Sequence, residues 1–310
     1  MATVIVHTAG LLTTVQDRGR YGYQRFGMPV SGAMDVFSLE LANLLVGNDP
    51  SDACLEATIS GPELEFTGPA WIAITGADMT PHLNSQGIPM NTAVDVRPGD
   101  RLVFKGLRSG CRAYIAFAGG IAVPPVMGSR STYLRAGIGG FQGRALMPGD
   151  ELPVGESELL SPFDRLSNGS ARRKPRFTKI PEGLIPEYKH EQIIRVISGP
   201  EAHYFEIAGL RSFLSTEYTV TAQSDRMGYR LSGEPIRHKE GMANIISAGI
   251  SLGTVQVPGD GQPIILMADC QTSGGYARIA NVIAADLTLI AQMRPGDKIR
   301  FKETTLDIAL

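Results

Sequence analysis

The sequence predicts a mainly β protein built from two turn-rich β units, on three observations. The 36 glycines and 20 prolines among 310 residues exceed ordinary usage, and both residue types punctuate turns. Apolar residues come in short runs bounded by turn signals, as at 71–75, 102–104 and 113–118. Two patterns also recur in the same order. Gly22-Tyr23 with Gly27 and Pro29 matches Gly228-Tyr229 with Gly233 and Pro235 at identical spacing. Arg97-Pro98-Gly99-Asp100 with Phe104 matches Arg294-Pro295-Gly296-Asp297 with Phe301, again at identical spacing. Gln16-Asp17-Arg18 and Gln223-Ser224-Asp225-Arg226 lead the first pair of matches. A duplication of domain-sized units follows, with short strands of the kind that make barrels or sandwiches, rather than a solenoid.

Each element has a local reason. Residues 3–6 form a strand. Asp35 caps a helix on which Phe37, Leu41, Leu44 and Leu45 recur at helical spacing, and Gly47 ends it in the left-handed conformation. Leu64 and Phe66 alternate with Glu63 and Glu65, the period of a half-buried strand. Residues 84–87 are a hairpin loop, and 97–100 a turn in which proline presets φ and glycine takes φ > 0. Residues 128–143, GSRSTYLRAGIGGFQG, are the most glycine-rich loop, and Pro148-Gly149-Asp150 makes a further turn. Residues 161–190 carry a basic, proline-containing connection whose charges suit a solvated face. Beyond it come a strand at 193–197, a short helix at 202–208, a strand at 219–222, a helix at 287–293 capped by Asp286, and a last strand at 298–301. The expected division is therefore an N-terminal β unit (1–105), a glycine-rich central segment (106–160), the connection (161–190) and a C-terminal β unit (191–310).

Composition excludes several classes of function. A hydrophobic fraction of 43% with 19% charged residues is that of a globular domain. The net charge of −2 offers no field for nucleic acid or an anionic membrane. No run approaches the roughly 18 apolar residues of a membrane span, and the start MATVIVHTAGLL lacks a basic leader. Cys54, Cys111 and Cys270 are too few and too scattered for a disulfide framework or CxxC site. A reducing, cytoplasmic location is expected.

Residues 255–281, VQVPGDGQPIILMADCQTSGGYARIAN, hold the densest set of candidate site residues. A strand there delivers Asp269, Gln271 and Thr272 onto Gly274-Gly275. Asp269 or Asp225 suits a general base if burial raises its pKa. Arg226 suits a carboxylate or phosphate through its bidentate fork, although Asp225-Arg226 reads equally as a local ion pair holding a turn. Gln262, Gln271 and Thr272 offer both donors and acceptors to an amide. Ser129 and Arg130, on the glycine-rich loop, suit an anion or simply tether the loop. Gly249-Ile250-Ser251-Leu252-Gly253 spells GxSxG, but a strand rather than a helix follows it, so it is no nucleophile elbow. Gly137-Ile138-Gly139-Gly140 lacks the third glycine of a dinucleotide loop, and there is no Walker loop. His7, His82, His190, His203 and His238 form no close pair, so no metal site is expected. No biotin-attachment segment is present.

TTVQDRGRYGYQRFGMPVSGAMD, LANLLVGN, GSRSTY, AGIGGFQGR, SDRMGYRL and TVQVPGDGQPIILMADCQTSGGY together resemble the family of the 5-oxoprolinase C component. That family is also called KipA, allophanate hydrolase subunit 2 or biotin-dependent carboxyltransferase. The resemblance spans nearly the whole chain and is weakest near 161–190. It implies duplicated cyclophilin-like β-barrel units. It also implies two partners, a KipI-like B component and an A component, and ATP used at the level of the complex to open 5-oxo-L-proline to L-glutamate. Two alternatives stay open: a carboxyltransferase component working on urea or a related small amide, with carboxybiotin supplied by another chain, and a non-catalytic regulatory partner of a KipI-like protein. The resemblance covers both repeats, yet the first copy has residues 56–66 where the second has its GQP and QTSGG sequences. That divergence makes 255–281 the place where a site is expected.

Overall fold

The computed structural model describes residues 2–157, 159 and 175–309. The chain divides into two compact units, residues 1–20 with 31–186 and residues 21–30 with 187–310. The described part of the glycine-rich segment 106–160 belongs to the first unit, and the basic run 171–174 lies outside the described residues. The protein is mainly β, with four short helices among the described residues.

Two antiparallel sheets build the first unit. The six-stranded sheet runs, in spatial order, Glu151–Pro153, Thr3–Thr8, Glu63–Phe66, Arg101–Phe104, Pro81–Leu83, Gln86–Gly87. The five-stranded sheet runs Leu12–Gln16, Cys54–Thr58, Ser109–Phe117, Ala70–Asp78, Ala93–Val96. One core cluster takes Val4, Val6, Leu64 and Phe66 from the first sheet and Leu55, Ile72, Ile115 and Phe117 from the second, so the sheets pack face to face. The alternate residues Cys54, Trp71, Ala73, Tyr114 and Ala116 face the other way, under helix α1 (Val36–Leu45). The middle strands of the five-stranded sheet are thus buried on both faces, which is why they read as unbroken apolar runs rather than alternating ones.

Helix α1 starts as its sequence dictates. Asp35 Oδ1 accepts from Ser38 N at 3.0 Å and Oδ2 from Ser38 Oγ at 2.6 Å, satisfying an amide that the helix start leaves open. Gly47, at φ 75°, turns the chain out two residues past the helix end. The buried face differs from the expected stripe. Phe37 and Leu44 are 38% and 37% exposed, whereas Ser38, Leu39, Ala42, Asn43 and Leu45 are buried. Asn43 tolerates burial because its amide donates to Asp52 O at 2.8 Å and its carbonyl accepts from Asn48 at 2.9 Å.

The second unit closes into a ring of seven strands. Glu191–Ser198 pairs in parallel with Lys298–Glu303, followed in order by Tyr218–Val220, Gly228–Ser232, Ile264–Leu266, Thr254–Val257 and Ser273–Val282. Ser273–Val282 then pairs back onto Glu191–Ser198 through Val196 and Val282. Asn244–Gly249 adds an eighth strand outside the ring. Ile194, Val220, Val255, Ile265, Ile279 and Ile299 are buried in this unit. Helix α2 (Ile207–Ser215) packs against the last strand, with Phe213 stacked on Phe301 at 4.4 Å. The helices fall elsewhere than expected. The 202–208 segment is a 3-10 turn (Ala202–Tyr204) followed by α2. Helix α3 spans Ala284–Ala291, with Ile283 at its cap. Asp286 lies in its first turn and binds Arg195 instead, accepting from its backbone N at 2.7 Å and from its guanidinium.

The repeated patterns share local geometry unevenly. Both Arg-Pro-Gly-Asp turns fold alike: Asp100 Oδ2 accepts from Arg97 N at 2.7 Å, and Asp297 Oδ2 from Arg294 N at 2.8 Å. Each precedes a strand. Gly22-Tyr23, by contrast, leads into the 3-10 turn Gln24–Phe26, whereas Gly228-Tyr229 opens a strand. Identical spacing there does not mark identical structure.

Candidate functional site

The structure brings Arg226 and Asp269 together. Arg226 Nε and Nη2 donate to Asp269 Oδ2 and Oδ1 at 2.9 and 3.1 Å, and the side chains are 7% and 4% exposed. Asp269 N also donates to Arg226 O at 2.8 Å, and Met267 N to Met227 O at 2.9 Å. A planar fork on a carboxylate, bracketed by two backbone bonds, clamps the 226–227 turn to the end of the Ile264–Leu266 strand. Asp225 points elsewhere. It is exposed, and its Oδ1 accepts from Met227 N at 2.8 Å and Gly228 N at 3.2 Å, an Asx turn.

Beyond the clamp lie the expected amide-binding residues. Gln271 is exposed and Thr272 half-buried, the carbonyl of Thr272 accepting from Ile250 N at 3.2 Å. Cys270 is half-buried between them and Asp269, and burial pushes its thiol up to about 11, so it is protonated at neutral pH. Gln262 is used within the unit: its side chain accepts from Gly233 N at 2.9 Å and donates to Gly233 O at 3.1 Å, pinning one turn to another.

Ser129 and Arg130 belong to the first unit and gather around Asp17. This carboxylate, 8% exposed, accepts from Gly19 N at 2.8 Å, Ser129 Oγ at 2.7 Å, Arg130 N at 2.5 Å and Ser131 Oγ. The Arg130 side chain donates from Nε to Val123 O at 2.9 Å. The amides of Ser131, Gly137, Ile138, Gly140 and Gly143 also bond inside the loop. Those N–H groups therefore make no nest for a phosphate. The loop is tightly drawn: a Cβ at Gly139 would overlap Ser131 O, and one at Gly140 would overlap Thr132 Oγ1.

Several polar residues escaped the sequence reading. Asp17 sat in plain view as the counterpart of Asp225, and both make the same bond to the amide two residues on. Buried Glu56 accepts from Tyr114 Oη at 2.7 Å and Met34 N at 2.8 Å, while Tyr114 Oη accepts from Asp35 N at 2.8 Å. No spacing signal links these positions. The second unit also holds an open cleft of about 410 Å³ whose lining includes Glu206, Arg237, His238, Lys239, Asn244 and Asp260. Its back wall pairs residues 204–206 with 237–239: Glu206 N donates to Arg237 O at 3.1 Å, and Lys239 N to Tyr204 O at 2.9 Å. His238 packs on Phe205 at 4.6 Å between ring centroids, and its Nε2 lies 3.0 Å from Val257 O. A carbonyl only accepts, so Nε2 carries the proton, and burial lowers the imidazole's pKa. Ser251 sits in no nucleophile elbow: a strand, not a helix, follows it, and its Oγ lies 3.3 Å from Thr254 Oγ1 at the start of that strand. Among the described residues no three His, Cys, Asp or Glu gather as a metal set.

Residues 26–303 match the family model described as carboxyltransferase domain, subdomain A and B. The chain belongs to this family. It is 40% identical over 302 residues to the C component of 5-oxoprolinase from Escherichia coli, covering 97% of this chain and 91% of that protein. The protein of the same name from Haemophilus influenzae is 36% identical, with 96% and 89% covered. In structure the family extends to the urea amidolyase of K. lactis, at TM-score 0.90 and 33% identity, covering 99% of this chain but 19% of that one. No described helix is long and apolar enough to cross a membrane.

Proposed function

We propose that this protein is the C component of an ATP-dependent 5-oxoprolinase, acting with a KipI-like B component and an A component to open 5-oxo-L-proline to L-glutamate. What carries this reading is the match to the 5-oxoprolinase C component over nearly the full length of both chains. A lactam resists water because amide resonance must be broken. ATP, bound at the level of the complex, would supply a phosphoryl group that activates the amide carbon for attack by water. The C–N bond then breaks to free the amine of glutamate, and the phosphoryl group leaves as phosphate. The amides of Ser131, Gly137, Ile138, Gly140 and Gly143 are engaged inside the glycine-rich loop 128–143, and no step is assigned to ATP on this chain.

The role assigned here to the second unit is binding and orientation. The Arg226–Asp269 clamp fixes the strand end from which Gln271 and Thr272 project, and these two orient the amide. Because the fork and the carboxylate satisfy one another, Arg226 and Asp269 are positioning residues in this reading, and Asp225 holds their turn. Asp17 likewise positions Ser129 and Arg130 in the first unit. Reconstitution tests the proposal: glutamate release from 5-oxoproline and ATP is expected with all three components and lost when this chain is left out. Three folded components with no release would overturn it.

A second reading rests on the likeness to the urea amidolyase over 99% of this chain. In that case the chain transfers a carboxyl group from carboxybiotin, carried on another chain, to urea or a related amide. Urea-dependent decarboxylation of free carboxybiotin is its signature, and a rate equal to the urea-free background removes it.

A further inference from the structure

The cleft beside His238 has a charge arrangement that the reading above leaves unused. Two cations, Arg237 and Lys239, and two carboxylates, Glu206 and Asp260, line it. All four residues are exposed. Among the described residues none of them is engaged in an ion pair. Opposite charges that share a cleft without neutralising one another present both signs to whatever enters. Asn244, also in the lining, adds an amide donor and acceptor. The volume of about 410 Å³ falls among small-molecule sites, roughly 300–1,000 Å³.

The backbone holds these groups in place. Alternation along residues 237–239, paired against 204–206, sends Arg237 and Lys239 to the same side. Helix α2 fixes the strip from behind, because Gly209 lies so close to Arg237 that a Cβ there would stand 2.5 Å from Arg237 O. Gly261, at φ 77°, approaches Ile236, whose N donates to Gly261 O at 2.9 Å. Asp260 is oriented by accepting from Gln262 N at 3.0 Å through one oxygen.

We propose that this cleft binds a small dipolar molecule of the amino-acid class, with Arg237 and Lys239 taking its carboxylate and Glu206 and Asp260 taking an N–H or ammonium group. Both a cyclic amide acid and its opened amino acid carry that pair of groups, so the inference draws on the lactam reading for its probes.

Calorimetric titration of the full chain tests it with 5-oxo-L-proline, L-glutamate and cyclopentanecarboxylate, the last having a carboxylate and no N–H. Saturable binding is expected for at least one of the first two, and binding of cyclopentanecarboxylate about tenfold weaker or more, the size of one charge-assisted hydrogen bond. The pair Arg237→Ala and Lys239→Ala is expected to weaken the tighter probe about tenfold or more, with unfolding midpoints unchanged because both side chains are exposed. Glu206→Gln with Asp260→Asn is expected to weaken that probe while sparing cyclopentanecarboxylate. Which of the first two probes binds distinguishes the lactam from the opened acid. The inference is overturned by no saturable binding of either, by equal binding of cyclopentanecarboxylate, or by indifference to the Arg237 and Lys239 changes. Turnover by the complex together with no saturable binding that depends on Arg237 and Lys239 overturns it while leaving the lactam reading intact. Cleft binding in a complex without turnover does the reverse.

Discussion

Asp17 and Asp225 show how one local motif serves two environments. Each accepts a hydrogen bond from the amide two residues ahead, as an Asp in a turn does. In the first unit the aspartate is buried and the following Arg18 reaches Glu40 on the half-exposed surface. In the second unit the arrangement inverts: Asp225 is exposed and Arg226 is buried on Asp269. The buried fork makes a sharp prediction. Arg226→Ala or Asp269→Ala leaves a buried charge uncompensated and should cost about 3–5 kcal/mol. Replacing both should cost less than the sum. A double-mutant cycle by urea unfolding measures the coupling, and a coupling near zero would mean that the clamp does not hold the turn. The residue types at this site were legible in the sequence because Asp-Arg recurs with its flanking pattern. Their burial was not legible, since a dipeptide does not say which of its two side chains turns inward.

At the scale of elements, legibility followed the strength of local chemistry. Proline and glycine fix their turns through φ alone, so both Arg-Pro-Gly-Asp turns fold as expected. Asp35 capped its helix because Ser38 stands three residues on. Helix α1's face was misjudged because a stripe of Phe and Leu outweighed Ser38 and Asn43, whose polar side chains are buried by bonding to Asp35 and to the loop after the helix. Asp286 looked like a cap, but Arg195, brought beside it only by the sheet, took its carboxylate. The cleft residues were illegible for the same reason: Glu206 and Arg237 meet through a bridge of backbone bonds about thirty residues long in sequence. Helix α2 supplies the test at this scale. Gly209→Ala is expected to destabilise the second unit by roughly 1–3 kcal/mol through overpacking against Arg237, although alanine favours a helix. A rise in the thermal midpoint instead would mean that α2 shifts freely.

Across the whole molecule, carboxylates set the response to acid. Hydrogen bonds from Arg144, Arg278 and Lys298 hold Asp150, Glu201 and Glu217 below their ordinary values of 3.8, 4.5 and 4.5. A depressed carboxylate stabilises the fold above its ordinary value and loses that contribution as pH falls through its folded value. Asp52 runs the other way, raised by burial. Asp49 and Glu65 are depressed as well, so five carboxylates stand against one. His238, lowered by burial from 6.5, must charge on unfolding. Urea midpoints should therefore decline slightly from pH 7 to about 5 and fall steadily below about 4.5. An increase on acidification would reverse this assignment. The mainly β class was legible from glycine, proline and turn-bounded runs, and those same runs became the doubly buried strands of the first unit. Ring closure in the second unit was not legible, because no pattern records which distant strands meet.

That closure has a consequence for the order in which the second unit can form. The strand that seals the ring, Lys298–Glu303, sits between Glu191–Ser198 and Tyr218–Val220, the earliest strands of the unit to be synthesised. Until the stretch around residue 300 has been made, those two strands have no rung between them. The barrel therefore cannot ripen strand by strand on the nascent chain. Its closure depends on pairings far apart in sequence, of the kind that form slowly.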